Sequence, residues 1–239
     1  MGLQRAFGSP STTFCDLEKR RVFDIAKGRS AGELQGFLPS LRGRDKVKVV
    51  CIDMNSAYRR LVKEWFPNAR IVSDRFHVIR LVNHHFSGVC KALEETSLAH
   101  GRGWMMRLLL MRPDRLKDHP RERLWQYLAS KPAITALYDY LHELCSLLRV
   151  KERTARGCRH YVVSLLEKIE QLRESPFAAL QTLGKTLHIW REEVARMFRY
   201  SKNNGITEGF HRKMKLIQRR AYGFRNFENY RLRVRVLCC

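Results

Sequence analysis

The chain has 239 residues, 44% of them hydrophobic, with 46 Lys and Arg against 23 Asp and Glu, a formal charge of +23 and a pI near 10.3. That length can hold one large domain or two modest ones, and the apolar content supplies the material for a real core. The charge suits a polyanion, nucleic acid before acidic membrane, and the sequence contains no transmembrane run, signal peptide or lipidation motif to support the membrane.

Residues 1–11 show no periodicity and end in turn formers. Thr12–Leu17 and Arg21–Ala26 are β-rich runs separated by Glu18-Lys19-Arg20, which predicts a hairpin. Ser30 is placed to cap a helix carrying Leu34, Phe37, Leu38 and Leu41, with Pro39 limiting its end. Val47–Asp53 (VKVVCID) is a compact apolar strand ending in a carboxylate. A helix over Ser56–Phe66, a break at Pro67-Asn68 and a second strand over Ala69–Ser73, followed by Asp74, complete a βαβ unit with parallel strands. Functional residues of such sheets lie at the carboxyl ends of strands, where Asp53 and Asp74 fall.

From Phe76 to about Tyr200 the pattern is helical, with breaks at Pro113, Pro120, Pro132 and Pro176. Leu137, Tyr140, Leu141, Leu144 and Leu148 form one apolar stripe; Leu165, Leu166, Ile169 and Leu172 form another. These residues read as an all-helical insertion. The seven cysteines include no C-x-x-C pair, which argues against a zinc module or a secreted disulfide framework and for a reducing compartment.

The last 39 residues hold ten Lys and Arg, opposed only by Glu208 and Glu228. Within NNGITEGFHRKMKLIQRRAYGF, at about 100° per residue, Glu208, Arg212, Lys215 and Arg219 share one helix face. Phe210, Met214, Ile217 and Ala221 form the opposite, apolar stripe. A carboxylate followed by cations on one ridge suits a metal ion beside a phosphate backbone, while a plain surface helix with an i, i+4 ion pair explains the same pattern. Arg212, Lys215, Arg219 and Arg220 are the candidate phosphate contacts. Tyr222, Phe224, Arg225, Phe227, Tyr230 and Arg231 interleave aromatic and basic character, a pattern able to stack bases and clamp phosphates, with packing favoured for Phe224 and Phe227.

Asp53 and Glu208, brought together, would form an oxygen-ligand metal site for phosphoryl transfer. For Asp53 the alternative is a strand-end aspartate, with Asn55 or Ser56 nearer for capping. Asp74 can cap the helix from Arg75, and His77 can be a half-buried core histidine. On a helix the spacing of His77, His84 and His85 does not place all three on one face, which argues against a three-histidine cluster.

TTFCDLEKRRVFDIAKGRS, VKVVCIDMNSAYRRLV, FPNARIVSDRFHVIRLVNHHF, NNGITEGFHRKMK and QRRAYGFRNFENYRLRVRVL, in this order from Thr12 onward, resemble bacterial insertion-sequence transposases of the ISL3 type in the DDE group. The resemblance implies an α/β fold: a ribonuclease-H-like mixed sheet interrupted by a large all-helical insertion. It divides the chain into a first part of the catalytic core at residues 1–85, the insertion at 86–200, and a basic C-terminal helix carrying the final acid at 201–239. It also implies a DDE triad binding two divalent ions, Mg2+ or Mn2+, that activate water or a 3′-hydroxyl for attack on DNA phosphodiesters. The family's second aspartate matches Asp53 and its glutamate matches Glu208; Asp74 and His77, in DRFH, match a supporting motif. The implied partners are insertion-sequence ends, target DNA, a second copy or a full-length transposase, in the bacterial cytoplasm with the nucleoid.

One departure accompanies the match. The family's first aspartate lies on a strand upstream of TTFCDL, where only eleven residues precede Thr12, and Asp16 belongs to the second strand. The family's N-terminal zinc-binding and helix-turn-helix regions have no counterpart either. The expectation is an N-terminally truncated copy, inactive alone and poorly stable because the hairpin and the βαβ unit lack their shared strand. Asp74 is the substitute ligand on this reading, since Asp53 and Asp74 end neighbouring strands about 4.8 Å apart. The alternatives are a non-catalytic DNA-binding remnant that interferes with full-length transposase, and a general basic nucleic-acid-binding protein.

Overall fold

The computed structural model describes residues 2–6, 9–94, 102–152, 154–200 and 205–238. It is a mixed α/β protein, mostly helical, with two small sheets. The chain forms two compact units: Met1–His77 with Tyr200–Cys239, and Val78–Arg199. The boundary expected after residue 85 falls inside one helix, α3 (Arg75–Leu93).

In the first unit, β1 (Gly2–Ala6), β2 (Ser9–Asp16) and β3 (Arg21–Lys27) form an antiparallel sheet in that order. The β2–β3 hairpin turns where its residues predict. The Asp16 carboxylate accepts from the backbone amides of Glu18 and Lys19 at 2.9 and 3.0 Å, an Asx-type turn that Arg20 closes with φ +52°. Strand β1 and the early start of β2 correct the expectation of no element before Thr12. Five residues without a β-branched side chain carry no readable alternation, and their ladder comes from pairing with β2.

Ser30 and Glu33 form a reciprocal capping box on α1 (Ala31–Leu34). The helix stops sooner than its apolar spacing suggests. Pro39 cannot extend it, and Leu38–Ser40 turn as a short 3-10 segment that still buries Leu38. Next, β4 (Val49–Ile52), α2 (Ser56–Trp65) and β5 (Arg70–Ser73) form the parallel βαβ unit, with Asn55 capping α2. Among the described residues no strand joins the two sheets.

Helices α10 (Gly205–Arg220) and α11 (Phe227–Leu237) complete this unit. Val22 and Ile25 from β3 pack with Met214, Ile217, Tyr230, Val234 and Cys238, and Phe210, Phe224 and Phe227 border the cluster. The expected apolar stripe of α10 therefore faces the β3 side. The seam is tied by the Arg231 guanidinium, which donates to both Asp24 oxygens at 2.7 Å, and by Val22 N–H donating to Cys238 C=O at 2.8 Å.

The second unit is helical: the body of α3, then α4 (Arg102–Leu110), α5 (Asp118–Ala129), α6 (Pro132–Arg149), α7 (Ala155–Arg173), α8 (Ala178–Ile189) and α9 (Arg191–Ala195). Leu137, Leu141, Leu144 and Leu148 are buried, as are Leu165, Ile169 and Leu172, whereas Leu166 lies exposed on the flank of its stripe. Pro120 does not break a helix. It sits in the first turn of α5, where a missing N–H costs nothing. A Cβ on Gly184 would meet the backbone N of Arg173 at 2.7 Å, so the α7–α8 crossing depends on a bare backbone there.

Candidate metal centre

Parallel pairing places Ile52 beside Ser73, so the next residues, Asp53 and Asp74, leave their strands side by side. Asp74 N–H donates to Ile52 C=O at 2.7 Å, extending the ladder by one bond. The Asp74 side chain then divides its work. Its Oδ1 accepts from Phe76 N–H at 3.2 Å, capping α3 as its position predicts, and its Oδ2 lies 2.6 Å from His77 Nδ1. Asp53 Oδ1 lies 2.9 Å from the same nitrogen.

His77 is thus held between two carboxylates, Asp74 wholly buried and Asp53 24% exposed in its side chain. Hydrogen bonding to Asp53 and then Asp74 pushes the imidazole up to about 9, which outweighs its burial. At neutral pH the ring is a cation; its Nδ1–H is directed to Asp74 Oδ2, with the solvent-shielded Oδ1 of Asp53 standing 2.9 Å away as an ion-pair partner. Neighbouring Cys51 is pushed up to about 12 by burial and by Asp74, so it remains a neutral thiol.

Ligand atoms of Asp53, Asp74 and His77 all lie within 4.8 Å of one another, the group among the described residues arranged to hold a metal ion. Two carboxylates suit a hard divalent cation, and a third ligand with nitrogen favours Mn2+ over Mg2+. The solvent-shielded Oδ1 of Asp53, which has no well-formed hydrogen bond, is the atom a cation would satisfy. The residues fit such an ion.

Glu208 is not in this group. It stands on the first turn of α10, about half exposed, with Arg212 Nη2 3.4 Å from its Oε1, one turn further on. The residue that senses both acids is His211, which sequence reasoning passed over. Burial, joined by the Lys215 charge, holds its imidazole below the usual range, and the opposing pull of Asp53 and Glu208 does not reverse this. Its one signal in the sequence is its flank position between the charged ridge and the apolar stripe.

Arg212, Lys215, Arg219 and Arg220 are all exposed, and these cations run to the last residue of α10. A shallow concavity of about 580 Å³ is lined by Lys215, Gln218, Arg219, Tyr222 and Gly223. Phe224 and Phe227 pack against Tyr230, with ring centroids 5.3 and 6.3 Å from it, and Arg231 is committed to Asp24 and Glu228. No described helix is long and apolar enough to cross a membrane.

A family model described as a transposase, of the DDE ISL3 type, matches residues 5–234. The transposase for insertion sequence element IS1001 of Bordetella parapertussis is 28% identical over 239 residues, covering 94% of this chain and 56% of that protein. The chain therefore spans about half the length of that curated relative. No solved structure matches it.

Proposed function

Because the chain belongs to the ISL3-type DDE transposase family, we propose that its first unit performs metal-dependent phosphoryl transfer on insertion-sequence DNA. The observation that carries this reading is the convergence of Asp53, Asp74 and His77 ligand atoms within 4.8 Å at the ends of two parallel strands. The same proposal takes the antiparallel β1–β3 strands and the parallel β4–α2–β5 unit as parts of a ribonuclease-H-like sheet.

In this reading Asp53 is the central metal ligand and Asp74 stands beside it. A bound Mg2+ or Mn2+ would acidify an attacking water or 3′-hydroxyl and offset charge on the reacting phosphate. In the metal-free protein the His77 cation offsets one of the two carboxylate charges, and it would release its proton to hold a bound ion through nitrogen. Glu208 supplies the family's final acid from α10 and must approach Asp53 for the reaction, with His211 feeling the charge of both. Arg212, Lys215, Arg219 and Arg220 hold the DNA phosphates, which fixes register without reading sequence. Location with the bacterial nucleoid follows from that partner.

A cleavage and strand-transfer assay on insertion-end DNA with Mg2+ or Mn2+ tests the reading. Activity lost in both Asp53→Asn and Glu208→Gln supports it; activity indifferent to both substitutions sinks it. A second reading, DNA binding without cleavage, is favoured by the exposure of Glu208 and its pairing with Arg212. Binding that survives both substitutions while no cleavage occurs would establish that one.

A further inference from the structure

The end of α10 is built around an aromatic residue that folding does not explain. Gly223 N–H donates to Gln218 C=O at 3.0 Å and Tyr222 N–H to Arg219 C=O at 3.1 Å, closing the helix through two successive left-handed residues. Gly223, with φ +92°, suits that conformation. Tyr222, with φ +49°, does not: a bulky side chain is disfavoured there, and glycine or asparagine would close the helix more easily. Its ring is fully exposed and buries nothing in return. The turn holds this ring at the rim of the concavity formed with Lys215, Gln218, Arg219 and Gly223, beside two exposed cations.

A π-face held in solvent against a cationic wall matches the two parts of a nucleotide, base and phosphate. We propose that Tyr222 stacks on an unpaired or extruded DNA base while Lys215 and Arg219 hold the flanking phosphates. Gln218 offers an amide to the edge of that base. The inference rests on the DNA-binding reading above and deepens it, because it assigns this end of α10 to distorted or single-stranded DNA and not to regular duplex.

The test measures binding of the full chain to a duplex and to the same duplex carrying one bulged 2-aminopurine, by fluorescence anisotropy and by quenching of the probe. Wild type is expected to prefer the bulged DNA and to quench its 2-aminopurine. Tyr222→Ala should lower affinity for bulged DNA roughly tenfold, in the range of one base–aromatic stack, and leave duplex affinity unchanged. Tyr222→Phe should retain preference and quenching. Tyr222→Asn, which tolerates the left-handed turn, should lose both without loss of fold by circular dichroism. Lys215→Gln with Arg219→Gln should weaken both DNAs and flatten the salt dependence. If that double variant weakens both DNAs while Tyr222→Ala changes neither or both equally, stacking is overturned and DNA binding stands. If wild type binds neither DNA, both fall together.

Discussion

Arg231 clamps Asp24 with a two-pronged ion pair, Nε to Oδ1 and Nη2 to Oδ2 at 2.7 Å each, across 207 positions of sequence. The Asp24 side chain is only 10% exposed and its backbone sits in β3, so the pair joins the first strands of the unit to its last helix. Arg231→Ala would leave a nearly buried carboxylate with its principal donor removed. The expected cost is about 2 kcal/mol, in the range of a hydrogen bond to a charged group and below that of breaking a fully buried ion pair. Urea unfolding followed by circular dichroism measures it, and the double variant with Asp24→Asn should recover part of the loss.

The cluster geometry separates metal binding from the later chemistry. Asp53→Asn and Asp74→Asn should each lower Mn2+ affinity of the DNA-free chain roughly tenfold or more, as lost ligands and their supports do. Glu208→Gln should leave that affinity unchanged, because Glu208 lies outside the group. Mn2+ titration by electron paramagnetic resonance reads all three. An equal loss in Glu208→Gln would show that α10 already closes on the strands without DNA.

Acid should loosen the α1 cap in a defined window. Hydrogen bonds from the Ser30 hydroxyl and the Arg29 and Ser30 amides lower Glu33 from 4.5 to about 2. Its folded value lies below its unfolded one, so the contribution is complete above about pH 4.5 and is lost as pH falls toward 2. The thermal midpoint of wild type should fall faster than that of Glu33→Gln over this interval. Gly28→Ala should disturb the same cap at neutral pH: φ is +90° there and a Cβ would stand 2.4 Å from that of Glu33.

In the helical unit, Gly184→Ala should destabilise by about 1–3 kcal/mol, the usual cost of overpacking. The obstructing atoms are backbone, Arg173 N and Leu172 C, and cannot swing aside as a long side chain would. Hydrogen exchange should rise in α7 and α8 first. Wild-type protection in both helices would count against the close-approach argument.

The βαβ unit is legible because VKVVCID and ARIVS are short apolar runs bounded by turn formers, and a parallel pair then puts Asp53 beside Asp74. His77 follows from helical spacing, three residues past Asp74. Other features escape a local reading. β1 takes its identity from its partner, Asp24 and Arg231 meet only through tertiary packing, and Pro120 reads as a breaker until the start of its helix is known. Helical periodicity placed Glu208 on a charged face of α10 but carried no information about its distance from Asp53. His211 shows in the sequence only as a border residue between the two faces, a position that does not mark it as coupled to either acid.

The alignment of Asp53 with Asp74 has a consequence for how this chain tolerates change. Both carboxylates are aimed by a ladder of only four residues per strand, with Ile52 level with Ser73. Because side chains alternate across a sheet, adding or deleting a single residue inside either strand would turn one aspartate to the opposite face. The same change at exposed Pro67, outside both strands, leaves each aspartate on its own face. Reading-frame-preserving lesions should therefore be sharply unequal: two tetrapeptides form an intolerant point in a molecule whose connecting segments can drift.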